Sequence, residues 1–227
     1  MVKIIVLSMD TEIGKNRREK LNYDYEWFKC VSGEEIIDKF NFRYNTCQKL
    51  KDATASCFNS HLKMMKKIVD EKLNDVVICE DDSIKVYDID TSNINEICLF
   101  GGVIRHPSNW KEDNKWRKEH VDDIVNNFKE GLNKIDYDKF RWSGTYAIYY
   151  PTYEKTNELL NNILNSKKKY CHLDVFLSKT KLINYLYFPT PFMSCDEGIT
   201  QINIAQGLVK DYKVLGKNKK NKISDKV

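Results

Sequence analysis

Short apolar runs that end in polar residues alternate along the chain with longer stretches of helical periodicity. The run KIIVLSM, at residues 3–9, is rich in β-branched residues and predicts a buried first strand, which feeds a polar loop, TEIGKNRRE. Over residues 53–73, apolar side chains recur every three or four positions, which predicts an amphipathic helix. These side chains are Phe58, Leu62, Met65, Ile68 and Val69.

The alternation continues towards the carboxyl-terminal part of the chain. DVVICEDD, SIKVY and ICLFGGVI predict three further strands, whereas the polar residues 106–139, with a weak helix at VDDIVNNFKEGL, predict an excursion from the sheet. FRWSGTYAIYY and INYLYF predict strands, and TYEKTNELLNNIL and CHLDVFLSKT predict helices. This order predicts an α/β fold: one Rossmann-like domain with a mainly parallel mixed sheet, helices on both faces, and a ligand crevice at the carboxyl ends of the strands.

Composition limits the classes of protein to consider. At 227 residues, 41% of them hydrophobic, the chain has enough apolar material for one folded domain and too little length for two full ones. The net charge of +4 comes from largely interspersed charges, so no nucleic-acid-binding face is expected. We predict a domain over residues 1–215 and a basic, solvated tail over residues 216–227, with an acidic partner or anionic membrane surface as the alternative for the tail.

Cysteine spacing and hydropathy predict a cytoplasmic protein. The seven cysteines form no CxxC motif and are interpreted as reduced thiols. The apolar run that opens the chain is too short for a signal peptide, and no later run approaches the roughly 20 residues of a membrane span. The Asn- and Lys-rich composition is typical of bacterial or viral proteins, which includes the cytoplasm of a host cell among the predicted locations.

Glu80, Asp81 and Asp82 form the sharpest chemical feature of the sequence. Three adjacent carboxylates at the exit of a buried strand repel one another and raise one another's pKa unless a cation is present. Oxygen ligands suit Mg²⁺ or Mn²⁺, which keep open positions for the phosphate oxygens of a nucleotide. The triplet therefore predicts a divalent metal site, with a solvated acidic turn as the alternative.

Two residue pairs near the predicted site carry weaker signals. Arg17 and Arg18 follow the first strand and could hold a diphosphate with their fork-shaped donors, although an Arg pair also begins many solvated helices. Ser60 and His61 lie near the apolar face of the predicted helix, where a structural histidine is the alternative to a functional one. Residue type alone does not decide between a functional and a structural role for either pair.

The succession of these motifs resembles glycosyltransferase family 25. It comprises IIVLSMD then NRR, ATASCFNSHLKMMKKI with its SH pair, EDD after VVIC, and the later GTYAIYY and LDVFL, in that order within residues 1–200. The family includes bacterial lipopolysaccharide galactosyltransferases and the sugar-transferring domains of collagen-modifying enzymes. The resemblance implies a GT-A fold and a hexosyltransferase-like enzyme that moves a sugar from a UDP-sugar donor to a hydroxyl group of a glycan or glycoprotein.

The resemblance also implies roles for individual residues. Asp82 would bind Mn²⁺ or Mg²⁺ directly, Asp81 would be a second ligand or a partner of the ribose, and Glu80 would orient the site. Either Asp196, in the SCDEGIT segment, or a water molecule would take the place of the late histidine that many GT-A enzymes add to this site. The nucleotide would be lined by Ser8, Met9, Asp10, Arg17, Ser60 and His61.

The implied reaction is an inverting transfer. A carboxylate removes the proton from the acceptor hydroxyl as that oxygen attacks the anomeric carbon, and UDP departs. The resemblance makes Asp174, in LDVFL, the candidate base, with a helix-capping role as the alternative. Trp142, with Ser143 and Gly144, is the candidate sugar contact, although most aromatic residues in such a chain pack the core.

Two other functions use the same residues differently. A metal-dependent nucleotidyltransferase or phosphotransferase would direct the carboxylates at another electrophile, and a nucleotidyltransferase would release pyrophosphate instead of UDP. A non-catalytic nucleic-acid-binding module would rely on the Lys-rich tail, and its binding would collapse with salt and be independent of Mn²⁺. The family resemblance, which rests on the succession of the motifs, favours the glycosyltransferase.

Overall fold

The computed structural model describes residues 2–31, 48–105, 126–167 and 172–194, and its largest element is a seven-stranded mixed sheet. The strand order across this sheet is β2-β1-β3-β7-β5-β8-β6, and β4 pairs with β9 in a separate two-stranded sheet. The strands are β1 (Lys3–Ser8), β2 (Glu26–Lys29), β3 (Val76–Glu80), β4 (Ser83–Lys85), β5 (Cys98–Arg105), β6 (Gly131–Lys134), β7 (Arg141–Tyr150), β8 (Tyr185–Phe188) and β9 (Phe192–Ser194). The helices are α1 (Glu12–Arg18), α2 (Gln48–Asp70), α3 (Tyr153–Leu164) and α4 (Leu173–Thr180).

The direction of the strands brings the first loop and the acidic triplet together. β1 is parallel to both β2 and β3, whereas β7 is antiparallel to β3 and β5. Leu7 pairs with Glu80, so the next residues, Ser8 and Asp81, lie together at the carboxyl ends of these two strands. The predicted class, an α/β Rossmann-like domain with a mixed sheet flanked by helices, is confirmed.

Side-chain alternation along the strands divides the core into two layers. Ile5 and Leu7 of β1, with Ile78 of β3, belong to one hydrophobic cluster, whereas Val6 and Cys79 belong to the other. Helices α2, α3 and α4 all contribute to the first cluster. The described members of the second cluster come from strands and connecting segments. The described helices therefore cover one face of the sheet more heavily than the other.

Helix α1 replaces the polar loop that the sequence predicted after β1. The side chain of Thr11 caps it by accepting the Gly14 N–H at 3.2 Å, and basic residues in its last turn complement the helix dipole. The apolar periodicity that marks longer helices is missing, because Ile13 is the one large apolar residue of α1. Its side chain is 71% exposed, so α1 does not bury an apolar face. The prediction of a loop was wrong for that reason.

Short edge elements account for the other differences. β6 forms the sheet edge where the sequence predicted an excursion, and β2, at the opposite edge, was not predicted. β4 was predicted as a strand of the main sheet but pairs with β9 instead. β2 and β6, with four residues each, show too little apolar alternation to mark them as strands in the sequence. Residues 106–125 of the predicted excursion and the tail at 216–227 lie outside the described residues.

The predicted long helix is present as α2, which begins earlier than residue 53 and ends at Asp70. Among the described helices, none combines the length and hydrophobicity that crossing a bilayer would require. The described cysteines are free thiols, and Cys79 and Cys98 are buried in the core.

Candidate active site

Two arginines and a serine surround Asp81 at the carboxyl ends of β1 and β3. Ser8 Oγ donates to Asp81 Oδ2 at 2.7 Å, and Arg17 Nη1 donates to Asp81 Oδ1 at 3.2 Å. Arg18 Nη1 donates to Ser8 Oγ at 2.6 Å and to the Met9 carbonyl at 3.0 Å. We call Ser8, Arg17, Arg18 and Asp81 the arginine cluster. Within it, the carboxylate charge is compensated.

The close packing of α1 against the end of β1 positions both arginines. Gly14 makes this possible, because a Cβ atom there would lie 2.2 Å from the Met9 carbonyl oxygen and 2.8 Å from Ser8 Oγ. The Arg18 guanidinium also lies over the Trp27 ring, 4.0 Å from its centroid. Arg18 is thereby held in place, while the Arg17 side chain is 40% exposed.

Glu80 is supported by residues of β7 and α2. The Thr145 hydroxyl donates to Glu80 Oε1, and His61 Nε2 lies 3.5 Å from the same oxygen. Desolvation opposes ionisation of Glu80, but its interactions with His61, Thr145 and Arg17 hold its pKa below the ordinary value. Glu80 is therefore a carboxylate at neutral pH.

Asp82 has far less compensation. Ser194 Oγ donates to Asp82 Oδ2 at 3.2 Å, whereas the buried Oδ1 has no hydrogen-bond partner among the described residues. Burial, followed by the negative charge of Glu80, raises the pKa of Asp82 to about 6. We call Glu80 and Asp82 the carboxylate pair, because the two charges act on each other.

This environment fits a divalent cation. An orphaned, buried carboxylate oxygen beside a second carboxylate lacks the positive charge that a bound Mg²⁺ or Mn²⁺ would supply. Asp82 has an oxygen available for such an ion. Both oxygens of Asp81 already accept hydrogen bonds, from Ser8 and Arg17, which leaves them less capacity for the predicted role as second metal ligand or partner of the ribose.

Asp174, the candidate base, contacts the backbone of β7. Its Oδ2 accepts the Gly144 N–H at 2.7 Å, and its Oδ1 accepts the N–H of Val175, in the first turn of α4, at 2.7 Å. Gly144 has a positive φ of 81°, a conformation that glycine adopts without strain. Because Thr145 contacts Glu80, Asp174 and Glu80 bind two consecutive residues of β7. The local contacts also agree with the alternative, structural role of Asp174.

Trp142 is a core residue, contrary to the predicted sugar contact. Its side chain is 1% exposed and packs in the helix-side cluster, and its Nε1 donates to the Tyr137 hydroxyl at 2.9 Å. Neither ring face is available for stacking on a sugar. Its neighbours Ser143 and Gly144 are partly exposed.

The remaining predicted residues have varied surroundings. Met9 and Asp10 are exposed, and Asp10 forms an ion pair with Lys29 at 2.9 Å, which lowers the pKa of the aspartate. Ser60 is buried in α2, where its hydroxyl accepts the Val31 N–H at 2.9 Å and donates to a carbonyl one turn earlier. His61 is fully buried beside Glu80. Ser60 and His61 are therefore both buried, and their observed contacts are with other residues of the chain.

Sequence reasoning missed several contributors to this site. Gly14 and Thr145 carried no signal, because a helix-packing glycine and a strand threonine are common. Cys57 precedes His61 by one helical turn, a spacing visible in the sequence. Ser194 opens the SCDEGIT segment that drew attention to Asp196, which itself lies outside the described residues.

A comparison with protein families finds a match in the amino-terminal part of the chain. Residues 1–98 match the family described as Glycosyltransferase family 25 (LPS biosynthesis protein). The match confirms the family resemblance over 98 of the 227 residues, which include the arginine cluster and the acidic triplet, and supports a glycosyltransferase. Asp174 and Gly144 lie beyond the matched residues. No curated protein matches the chain.

Proposed function

We propose that the protein is a metal-dependent glycosyltransferase that moves a sugar from a UDP-sugar to a hydroxyl group of a glycan or glycoprotein, with inversion at the anomeric carbon. One observation carries the proposal. The arginine cluster and the carboxylate pair lie at the adjacent carboxyl ends of β1 and β3, so candidate donors for phosphate are next to candidate ligands for a cation. The match to glycosyltransferase family 25 supports the same activity.

The arginine cluster supplies the phosphate-binding half of the proposed site. Arg17 is partly exposed, and its guanidinium group carries several N–H donors in a fixed, planar geometry. Asp81, which is itself held by the Ser8 hydroxyl, accepts a hydrogen bond from the Arg17 guanidinium group and so orients it. Positioned guanidinium donors bind diphosphate oxygens through charge-assisted hydrogen bonds, the strong class of protein hydrogen bond.

The carboxylate pair supplies the cation-binding half. Asp82 would hold Mn²⁺ or Mg²⁺ through its oxygen without a partner, and Glu80 would add negative charge beside it. Such a cation neutralises the charge that grows on a departing diphosphate. The protein's part is to orient both carboxylates, through Ser194 at Asp82 and Thr145 at Glu80.

Asp174 is our proposed base, acting on the acceptor hydroxyl. Each of its oxygens accepts one backbone N–H, which leaves each a lone pair to receive the acceptor proton. Asp174→Asn keeps a carbonyl oxygen for the Gly144 N–H but removes the basic group. We expect kcat to fall by about 10²–10⁴-fold with UDP affinity unchanged. Near-normal turnover of Asp174→Asn would show that Asp174 has a structural role and is not the base.

Calorimetry of UDP binding tests the donor site. Native protein should bind UDP in the presence of Mn²⁺ and much more weakly with a chelator, and Asp82→Asn should lose the Mn²⁺-dependent part. Asp138→Asn, which removes a carboxylate that is 94% exposed and lies outside the predicted site, is the matched control and should bind like the native protein. Binding that needs neither Mn²⁺ nor Asp82 would contradict the proposed site.

Product analysis tests the reaction class. After incubation with a panel of UDP-sugars, Mn²⁺ and candidate glycan acceptors, glycosyl transfer releases UDP. Release of pyrophosphate from a nucleoside triphosphate would instead support a nucleotidyltransferase that uses the same carboxylates. The panel also identifies the sugar that the protein accepts.

A further inference from the structure

We propose a second cation site, for Zn²⁺ or a similar thiolate-binding divalent ion, formed by Cys57, His61 and Glu80. One ligand atom from each residue lies within 4.8 Å of the other two. The site lies between α2 and the end of β3 and does not include Asp82. It shares Glu80 with the carboxylate pair of the proposed transferase site, but Cys57 and His61 have no part in the proposed reaction.

The local fold arranges the ligands. Cys57 and His61 are four residues apart in α2, so their side chains lie one turn apart on the same face of the helix. Glu80 ends β3, where the Thr145 hydroxyl contacts Oε1. A helix and a strand end thus supply the three donors, and both are elements of the packed core.

His61 is the observation that points to a ligand. Its side chain is 0% exposed, and neither ring nitrogen has a hydrogen-bond partner among the described residues. Burying a polar ring without partners destabilises a fold, so a buried imidazole normally has a donor, an acceptor or a metal beside it. Nε2 lies 3.5 Å from Glu80 Oε1, close to the roughly 3.3 Å between two light ligand atoms of a tetrahedral zinc ion.

The donor set selects the ion. A thiolate with an imidazole and one carboxylate suits Zn²⁺, whereas Mg²⁺ and Mn²⁺ prefer sites made of oxygen atoms. Cys57 is exposed, which gives an ion access to the cluster from solvent. On binding, the Cys57 thiol releases its proton to solvent and its sulfur becomes the third ligand. Three protein ligands leave one position of a tetrahedral ion for water or an anion.

The experiment uses the full chain, stripped of metal. Zn²⁺ affinity is measured by competition with a chromophoric chelator, and Co²⁺ serves as the spectroscopic probe because a bound thiolate gives a charge-transfer band. We expect one Zn²⁺ per chain and a thiolate band with Co²⁺. Cys57→Ser should abolish that band and weaken Zn²⁺ binding by roughly 100-fold or more. Glu80→Gln should weaken Zn²⁺ binding while the thiolate band persists.

Two control variants separate this site from its neighbours. Cys30→Ser removes another described thiol that is not fully buried and should leave the Co²⁺ band unchanged. Asp82→Asn should also leave the band and the Zn²⁺ affinity unchanged, while it impairs Mn²⁺-dependent UDP binding. Thermal melting of each metal-free variant checks that it is folded.

Three results would overturn the second site. They are the absence of Zn²⁺ binding by the folded native chain, a Co²⁺ band that survives Cys57→Ser, and loss of Zn²⁺ binding in Asp82→Asn. None of them affects the Mn²⁺ and UDP measurements on the native protein, so failure of the zinc site is distinguishable from failure of the transferase proposal.

Discussion

Asp81 and Asp82 are neighbours in the chain and opposites in their surroundings. Asp81 accepts hydrogen bonds from Ser8 and Arg17 through both of its oxygens. Asp82 receives one hydrogen bond, from Ser194, and its other oxygen is buried without a described partner. A run of like charges therefore contains one aspartate whose charge the fold compensates and one whose buried oxygen has no described partner.

The contrast arises from which elements surround the end of β3. Asp81 meets β1 and α1, which bring the arginine cluster, while Asp82 meets β9, which brings a serine and no positive charge. Because desolvation without compensation favours the neutral form, the pKa of Asp82 rises to about 6. The environment thus gives Asp81 two hydrogen-bond donors and leaves Asp82 with a raised pKa.

The largest expected effect is on turnover. Asp82→Asn should lower the rate of Mn²⁺-dependent UDP release by about 10²–10³-fold, because it removes the proposed cation ligand. Asp81→Asn should lower that rate by only about 10-fold, because its amide oxygen can still accept one hydrogen bond. Steady-state assays over a range of Mn²⁺ concentrations measure both. Equal losses in the two variants would break the contrast between the residues.

The next effect concerns stability and pH without metal. The pKa of Asp82 is about 6 in the folded protein against a reference value of 3.8, so between these values the folded state holds a proton that the unfolded state has lost. Stability from this group therefore falls as pH rises from 4 to 6. Asp82→Asn should be more stable than the native protein at pH 7 by about 1–3 kcal/mol, with the difference vanishing below pH 4.

Urea denaturation of both proteins, in a chelator and at several pH values, measures this difference. Other titrating groups cancel because they are common to the two chains. A stability difference that does not vary with pH would show that Asp82 is not the group responsible.

A smaller effect is expected in the arginine cluster. Arg17→Lys keeps a positive charge near Asp81 but loses the forked donors, so UDP affinity should fall by about 3–10-fold with the Mn²⁺ requirement retained. Lys15→Ala, on the same helix and exposed, is the control and should bind UDP normally. Loss of the Mn²⁺ requirement in Arg17→Lys would show that the arginine cluster and the carboxylate pair do not have the separate roles proposed for them.

The smallest effect tests the periphery of the cluster. Asp10→Asn removes an exposed ion pair with Lys29, which is screened by solvent, so thermal stability should not change measurably. UDP affinity should also be unchanged, although the sequence placed Asp10 beside the nucleotide. A clear loss of UDP affinity would extend the binding site to the exposed loop after β1.

The sequence predicted well the long elements and the position of the acidic triplet after a buried strand. β1, β3 and β7 were visible as apolar runs, and α2 as a stripe of apolar residues, because each is long enough to show its periodicity. Trp142 was misjudged because an aromatic residue beside a glycine has the same sequence signature in a core as in a sugar site. Only its 1% exposure separates the two.

By itself, the sequence determined the α/β class, the order of its main strands and helices, and the placement of three carboxylates after a buried strand, since these depend on local periodicity and residue type. The tertiary structure alone decided which carboxylate is compensated, that Ser194 reaches Asp82, and that Cys57 and His61 adjoin Glu80. Those features depend on contacts between residues distant in the chain, and a pKa or a ligand set is a property of such surroundings.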